Sequence, residues 1–426
     1  MCGNYLCLLM FVIITDIFMQ NFHLIKIRNS FENHKIIDVE KHTISELGYS
    51  LAGINLSGAS IGIAVGSRGI SDIAKITRAV VDFVKIKGGH PFIILAMGSH
   101  GGATSAGQQD LIRSYGITSE SIGAPIDSSM DVVELSDNSC PCRIFMSRAA
   151  FESDGVIVIN RIKPHTDFHG SYESGLVKMC VIGLGKHAQA LEIHKFGVEG
   201  LKNLIPVSAR KIISTGKILL GVGVIENACD QTFHIEAVPA EKIMKREPQL
   251  LDIAKKNMPS LPVDHADILI VDKIGKDISG TGLDPNIIGR LSIRGETEPE
   301  KPDIKQIIVS SLTEKSHGNA LGIGLADIIS KRLFNSIDFK VMYENAFTSS
   351  FLQRAKIPVI ANSDLEAFSF ALRAAGVQNI GQSRVIRIPD TLHLEEVYVS
   401  KVIFNEIKTM NTITKISEPA WTTFRS

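Results

Sequence analysis

Residues 61–69 read Ile61-Gly62-Ile63-Ala64-Val65-Gly66-Ser67-Arg68-Gly69, and residues 92–102 read Phe92-Ile93-Ile94-Leu95-Ala96-Met97-Gly98-Ser99-His100-Gly101-Gly102. Each is a short apolar run that ends in a glycine-rich polar loop. Between them, Ile73, Ile76, Val80, Val81, Phe83 and Val84 recur at helical spacing, and Gly88-Gly89 stops the pattern. A strand, a loop, a helix and a second strand in that order are the unit of an α/β sheet. The spacing predicts strands at 61–65 and 92–97 and helices at 73–86 and 106–115.

The rhythm continues outward. Gly155 to Ile159 is a third strand, leading into Asn160-Arg161-Ile162-Lys163-Pro164-His165-Thr166-Asp167, and Ile218 to Ile225 is a fourth, ending at Glu226-Asn227. Glu173 to His194 reads as loop plus helix. Met258-Pro259-Ser260-Leu261-Pro262 is a linker. After it, Asp267–Val271 leads into Lys276–Gly282, and Ile307–Ser311 leads into Thr313–Asn319 and a helix through Ile329. Pro358–Ala361 leads into Ser363, an N-cap, and a helix to Ala375. The expected fold is α/β: two doubly wound α/β domains with the site in the cleft between them. Residues 1–18 are expected to be an extension upstream of a start at Met19, residues 19–260 the cofactor-binding domain, and residues 261–426 the C-terminal domain.

Composition narrows the function. The 426 residues carry 45 Lys+Arg and 45 Asp+Glu, so there is no electrostatic case for nucleic acid or an anionic membrane as partner. Aromatic residues make up 6%, with one tryptophan, Trp421, which offers no stacking platform for nucleic acid. The apolar stretch Leu6–Phe18 is broken by Thr15 and Asp16 and falls short of the ~20 residues of a membrane span. The six cysteines follow neither a disulfide framework nor a zinc spacing, and Cys140-Pro141-Cys142 reads as a pair of loop thiols or a redox or metal pair. Reduced thiols and a cytoplasmic location are the expectation.

Ligands of such sheets lie beyond the carboxyl ends of the strands. That rule selects Arg68, His100 and His165 in the first domain, and Asp277 and His317 in the second. Arg68 suits a carboxylate clamp or a solvated surface position. His100, flanked by glycines, suits proton transfer, a turn, or a loop in which only the backbone binds phosphate. His165 competes with His169, and the Lys163–His169 segment suits a second acid/base or a metal site. Lys178 lies in an apolar, glycine-rich stretch where a lysine can become nucleophilic. Gly183-Leu184-Gly185 is at most a weak phosphate loop, because the P-loop order is missing.

In motif order and spacing, residues 61–194 resemble the nickel-dependent lactate racemase family, and the second domain does so more loosely. Gly98–Gly101 matches its glycine-histidine loop, Pro164-His165 its Pro-His, and Ser174-Gly175-Leu176-Val177-Lys178 its Ser-Gly-Gly-x-Lys. His194 follows Lys178 by sixteen residues, as the family's second histidine follows its lysine. The resemblance implies a nickel-pincer nucleotide held covalently by Lys178, nickel ligated by His194, His100 and His165 as an acid/base pair, and Arg68 on the substrate carboxylate. It implies an isomerase, a racemase or epimerase of a lactate-like or larger polyhydroxy 2-hydroxy acid, with cofactor-biosynthesis proteins as partners. The chain departs from the pattern in four places. Val65 stands where the family has aspartate, Leu176 replaces a glycine, and the Pro-His to lysine interval is three residues longer. The family's Gln-x-x-Lys pair in the second domain has no clear counterpart, and Asp277 to Asn286 stands nearby instead. Competing readings are a pincer-dependent redox or elimination enzyme and a non-catalytic nucleotide or hydroxy-acid binding protein.

Overall fold

The computed structural model describes residues 22–66, 69–135, 140–349 and 351–417. The expected 1–18 extension lies outside them. The chain forms two units: Glu32–Met258, and Pro259–Ser426 together with Met1–Phe31.

Strand β1 (Leu24–Asn29) precedes the first unit. Within that unit come α1 (Val39–Ser50), β2 (Ser60–Val65), α2 (Ile73–Ile86), β3 (His90–Leu95), α3 (Ser105–Ser114), β4 (Ile126–Asp127), β5 (Val132–Glu134), β6 (Phe145–Ser147) and β7 (Gly155–Arg161). The series ends with α4 (Lys186–His194), α5 (Ile205–Ser214), β8 (Ile218–Glu226), β9 (Thr232–Pro239) and α6 (Ala240–Lys256). The main sheet has the order β4-β3-β2-β7-β8-β9. All its pairs are parallel except β8 with β9.

Side-chain alternation explains why both faces are covered. Ile63, Val65, Ile93, Leu95, Ile157 and Ile159 pack with Ile73, Ile76, Val80 and Phe83 of α2. Ala64, Ile94, Val156 and Val158 face the other way, onto Leu176, Val181, Ile193, Ile205 and Leu250. Helix α2 begins where the pattern predicts although Asp72, at φ 60°, makes no side-chain cap. A missing cap costs ~1 kcal/mol, whereas each fully buried apolar side chain contributes ~1.5–3 kcal/mol. The apolar face therefore decides the helix.

The second unit contains β10 (His265–Val271), β11 (Asp303–Val309), β12 (Ile328–Ser330), β13 (Val359–Ala361), α7 (Asp364–Ala374), β14 (Val385–Ile388), β15 (Glu396–Ser400) and β16 (Ile413–Lys415). Its sheet order is β13-β12-β11-β10-β14-β15-β1-β16. The first five strands are parallel, and β15, β1 and β16 extend the sheet with antiparallel pairs. Ser363 caps α7 by accepting the Glu366 N–H at 3.1 Å.

Two expectations change. The boundary falls between Met258 and Pro259, but β1 leaves the expected 19–260 domain because its backbone pairs with β15 and β16. The expected helix through Ile329 is instead two 3-10 turns and strand β12, paired in parallel with β11 and β13. Gly318 and Gly322, at φ 78° and 105°, break the helical path. No described helix is long and apolar enough to cross a membrane.

Candidate active site

From β2 the chain moves one way to β3 and β4, and it returns on the other side of β2 with β7 and β8. The ends of β2 and β7 are thus a topological switch point, where open α/β sheets bind ligands. A pocket of about 170 Å³ opens there, and all of its lining comes from residues 66–201. His100, His165, Lys178 and His194 line it together, with Asn160, Asp167 and Ser174. Arg68 lies outside the described residues. Val65, in the place of the family's aspartate, is fully buried against the α2 side of the sheet and supplies no polar group.

The loop after β3 is held from beneath. Buried Gln108 of α3 donates from Nε2 to the carbonyls of Gly98 and His100, each at 3.2 Å. Gly101 and Gly102 have φ of 61° and 66°. A Cβ on Gly101 would lie 2.7 Å from the Gln108 nitrogen and the Gly107 carbonyl carbon, whereas one on Gly102 meets nothing within 4 Å. Gly102→Ala is expected to cost only the left-handed penalty of ~1–2 kcal/mol, and Gly101→Ala ~3 kcal/mol or more because backbone must also move. Thermal melts of the two variants check this; equal losses would refute it.

The loop after β7 is closed by Lys163 and Ser174, whose backbones exchange hydrogen bonds of 2.8 and 3.2 Å. Buried Glu173 organises it, accepting from the His165 N–H at 2.7 Å, from Lys255 at 2.7 Å and from the Gly170 N–H at 3.3 Å. Burial pushes the Glu173 carboxyl up, but His169, Lys255 and the His165 N–H outweigh it and hold the pKa low. His169 faces Glu173 at 3.4 Å, while the His165 ring lines the pocket, so geometry separates the two histidines. His165 stacks on Phe168, accepts the Asp167 N–H at Nδ1 (3.0 Å), and meets Lys178 Nζ with Nε2 at 2.6 Å.

Lys178 ends a short helical turn, Leu176–Lys178, that widens to a π-helix over Met179–Gly183, a form often found at functional sites. Beneath the turn Glu247 of α6, 1% exposed, accepts the Val177 N–H at 2.7 Å. Burial raises its carboxyl to about 7, partly offset by the Val177 and Leu176 N–H groups. A Cβ on Gly175 would sit 2.5 Å from Glu247 Oε1, so the glycine admits the carboxyl. His194, at the end of α4, is exposed at the pocket rim. Crowding by the wall and then Lys178, when charged, hold its pKa below the usual value, with Asp167 pulling the other way.

Sequence reasoning missed several supports. Asn160 donates to the Gly175 carbonyl at 2.7 Å. Lys186 is fully buried, donates to the Leu95 carbonyl at 2.8 Å and is lowered to about 8 by burial. Lys186 is thus a desolvated lysine that the sequence did not single out, whereas Lys178 lines the pocket. Only a buried lysine beside Gly185 could have hinted at this, and burial is not visible in the sequence. Asp277 and His317 lie in the other unit, where Asp277 accepts the Thr313 hydroxyl at 2.6 Å. Cys140 and Cys142 have their sulfurs 3.1 Å apart, and burial and Cys140 push the Cys142 thiol up to about 11. Among the described residues, no three His, Cys, Asp or Glu side chains group as a metal site.

No protein-family model matches the chain, and no curated protein matches it. Among solved structures, the lactate racemase apoprotein from Thermoanaerobacterium thermosaccharolyticum is similar, with a TM-score of 0.54, 14% identity, and coverage of 87% of this chain and 98% of that one. The chain therefore has a lactate racemase-like α/β fold.

Proposed function

We propose that this chain is an isomerase, a racemase or epimerase of a 2-hydroxy acid, and that it works through a nickel-pincer nucleotide attached to Lys178. The observation that carries the reading is the convergence of His100, His165, Lys178 and His194, from separate segments, on one switch-point pocket. The residues fit the group. Lys178 offers an amine on the pocket wall, and His194 offers one imidazole at the rim, enough where the cofactor supplies the remaining donors. When bound, the cofactor supplies the electron sink for hydride that side chains cannot. His194 would ligate the nickel. His100, from the loop after β3, and His165, from the loop after β7, stand on the two sides of β2. Each can hold or release the substrate hydroxyl proton, the exchange that inversion at the carbon requires. Arg68 is proposed to hold the carboxylate. Hydride chemistry without inversion is the alternative outcome, read from the stereochemistry at the reacting carbon.

The test is intact mass and nickel content of protein from a host that builds the cofactor. An adduct mapping to Lys178, with nickel lost but the adduct kept in His194→Ala, is expected. An unmodified chain without nickel, beside a modified family member as control, would overturn the reading.

A further inference from the structure

The contact between His165 and Lys178 carries information about a proton. The Asp167 N–H donates to His165 Nδ1 at 3.0 Å, so that nitrogen is an acceptor. A neutral imidazole has one N–H and one acceptor nitrogen, so its proton lies on Nε2. Nε2 is 2.6 Å from Lys178 Nζ. An ammonium has only donors, and two facing donors repel. The opposite tautomer, with Nε2 accepting from an ammonium, would point Nδ1–H at the Asp167 carboxylate, which at 3.8 Å is beyond hydrogen-bond reach, whereas the Asp167 N–H is within it. The geometry thus favours Nε2–H facing an amine lone pair on Nζ.

We propose that in the cofactor-free chain Lys178 is an uncharged amine, held ready by the Nε2–H of His165 as a nucleophile toward an activated carboxyl-type carbon. This deepens the attachment role proposed for Lys178. In the step, the Nζ lone pair bonds to the carbonyl carbon, the bond from that carbon to its leaving group breaks, and one amine proton departs with the leaving group. No oxidant is needed. The resulting amide nitrogen is a poor acceptor, so acylation returns the His165 Nε2–H to the pocket. Attachment thereby switches His165 from holding the lysine to facing substrate. Among the described residues, titratable groups around Lys178 include Asp167 on the same loop as His165, His100 from the loop after β3, His194 at the end of α4, and Glu247 beneath the turn.

Competitive acetylation with acetic anhydride tests this on the full-length chain made without cofactor. Acetylation of Lys178 is followed from pH 6 to 10 by peptide mass spectrometry, with exposed Lys242 as internal standard. The midpoint of the pH profile, which does not depend on access, is expected at least one unit below the ~10.4 of ordinary lysine. His165→Phe keeps the ring against Phe168 and removes Nε2; it should lower Lys178 acetylation at pH 7 at least tenfold relative to Lys242. A midpoint near that of ordinary lysine, or an unchanged rate in a folded His165→Phe, overturns the inference. If that variant does not fold, the wild-type midpoint decides. An ordinary midpoint in a chain that still gains the Lys178 adduct defeats this inference alone, whereas a lowered midpoint without any adduct defeats the cofactor reading alone.

Discussion

Lys178→Arg is expected to leave a folded protein with no cofactor adduct and with turnover reduced at least a thousandfold. Arginine keeps the length and the positive charge of a lysine, but its guanidinium stays protonated in any protein setting and forms no amide. The variant thus separates covalent attachment from charge. The size follows from the proposed function: amino-acid side chains offer no electron sink for hydride, so without the attached cofactor a typical enzymatic acceleration of ~10⁶-fold or more would not survive. Lys178→Met is the companion, because it fills similar space without a donor that would face His165 Nε2 at 2.6 Å. Intact mass, melting temperature and racemisation of a 2-hydroxy acid are the readouts. Turnover within tenfold of wild type in either variant would end the covalent role of Lys178.

Glu247 should make the stability of the first unit depend on pH. Its carboxyl titrates at about 7 in the fold against 4.5 in a free glutamate. A raised pKa means that the folded state binds the proton more tightly. The stabilisation is complete below pH 4.5, declines as pH rises toward 7, and is flat above that. At 1.36 kcal/mol per pKa unit the span is roughly 3 kcal/mol. Glu247→Gln carries no titrating group, so the variant should gain on wild type by about that amount between pH 4.5 and 8. At ~2–4 °C per kcal/mol for a unit of this size, the difference in melting temperature should widen by ~6–12 °C. Oε1 of Glu247 has no hydrogen-bond partner among the described residues, which is the environment that disfavours a charge. A difference that stays constant across this range would show that Glu247 does not titrate there.

The sequence by itself determined what is local. The apolar spacing of Ile73–Ile86 located α2, Ser363 marked the start of α7, and glycine-rich loops after apolar runs marked where ligands approach a parallel sheet. The carboxyl-end rule, which links position along a strand to position in the pocket, was enough to select His100 and His165. Lys178 stood out by its apolar, glycine-rich setting, and His194 only by its spacing in the resemblance to the racemase family. Tertiary structure decided what depends on partners distant in the chain. Arg28 of β1 meets Glu396 of β15 across 368 residues, and no periodicity encodes which strand accepts an edge. The run Ile328–Ser330 reads equally as helix or strand, and β11 and β13 on either side make it a strand. His165 and His169 are equivalent in the sequence until buried Glu173 takes one and leaves the other to the pocket. The proton assignment of the Lys178–His165 pair rests on one backbone N–H of Asp167. Patterns of residues fix which faces are buried, but hydrogen-bond direction and desolvation exist only once separate segments are packed together.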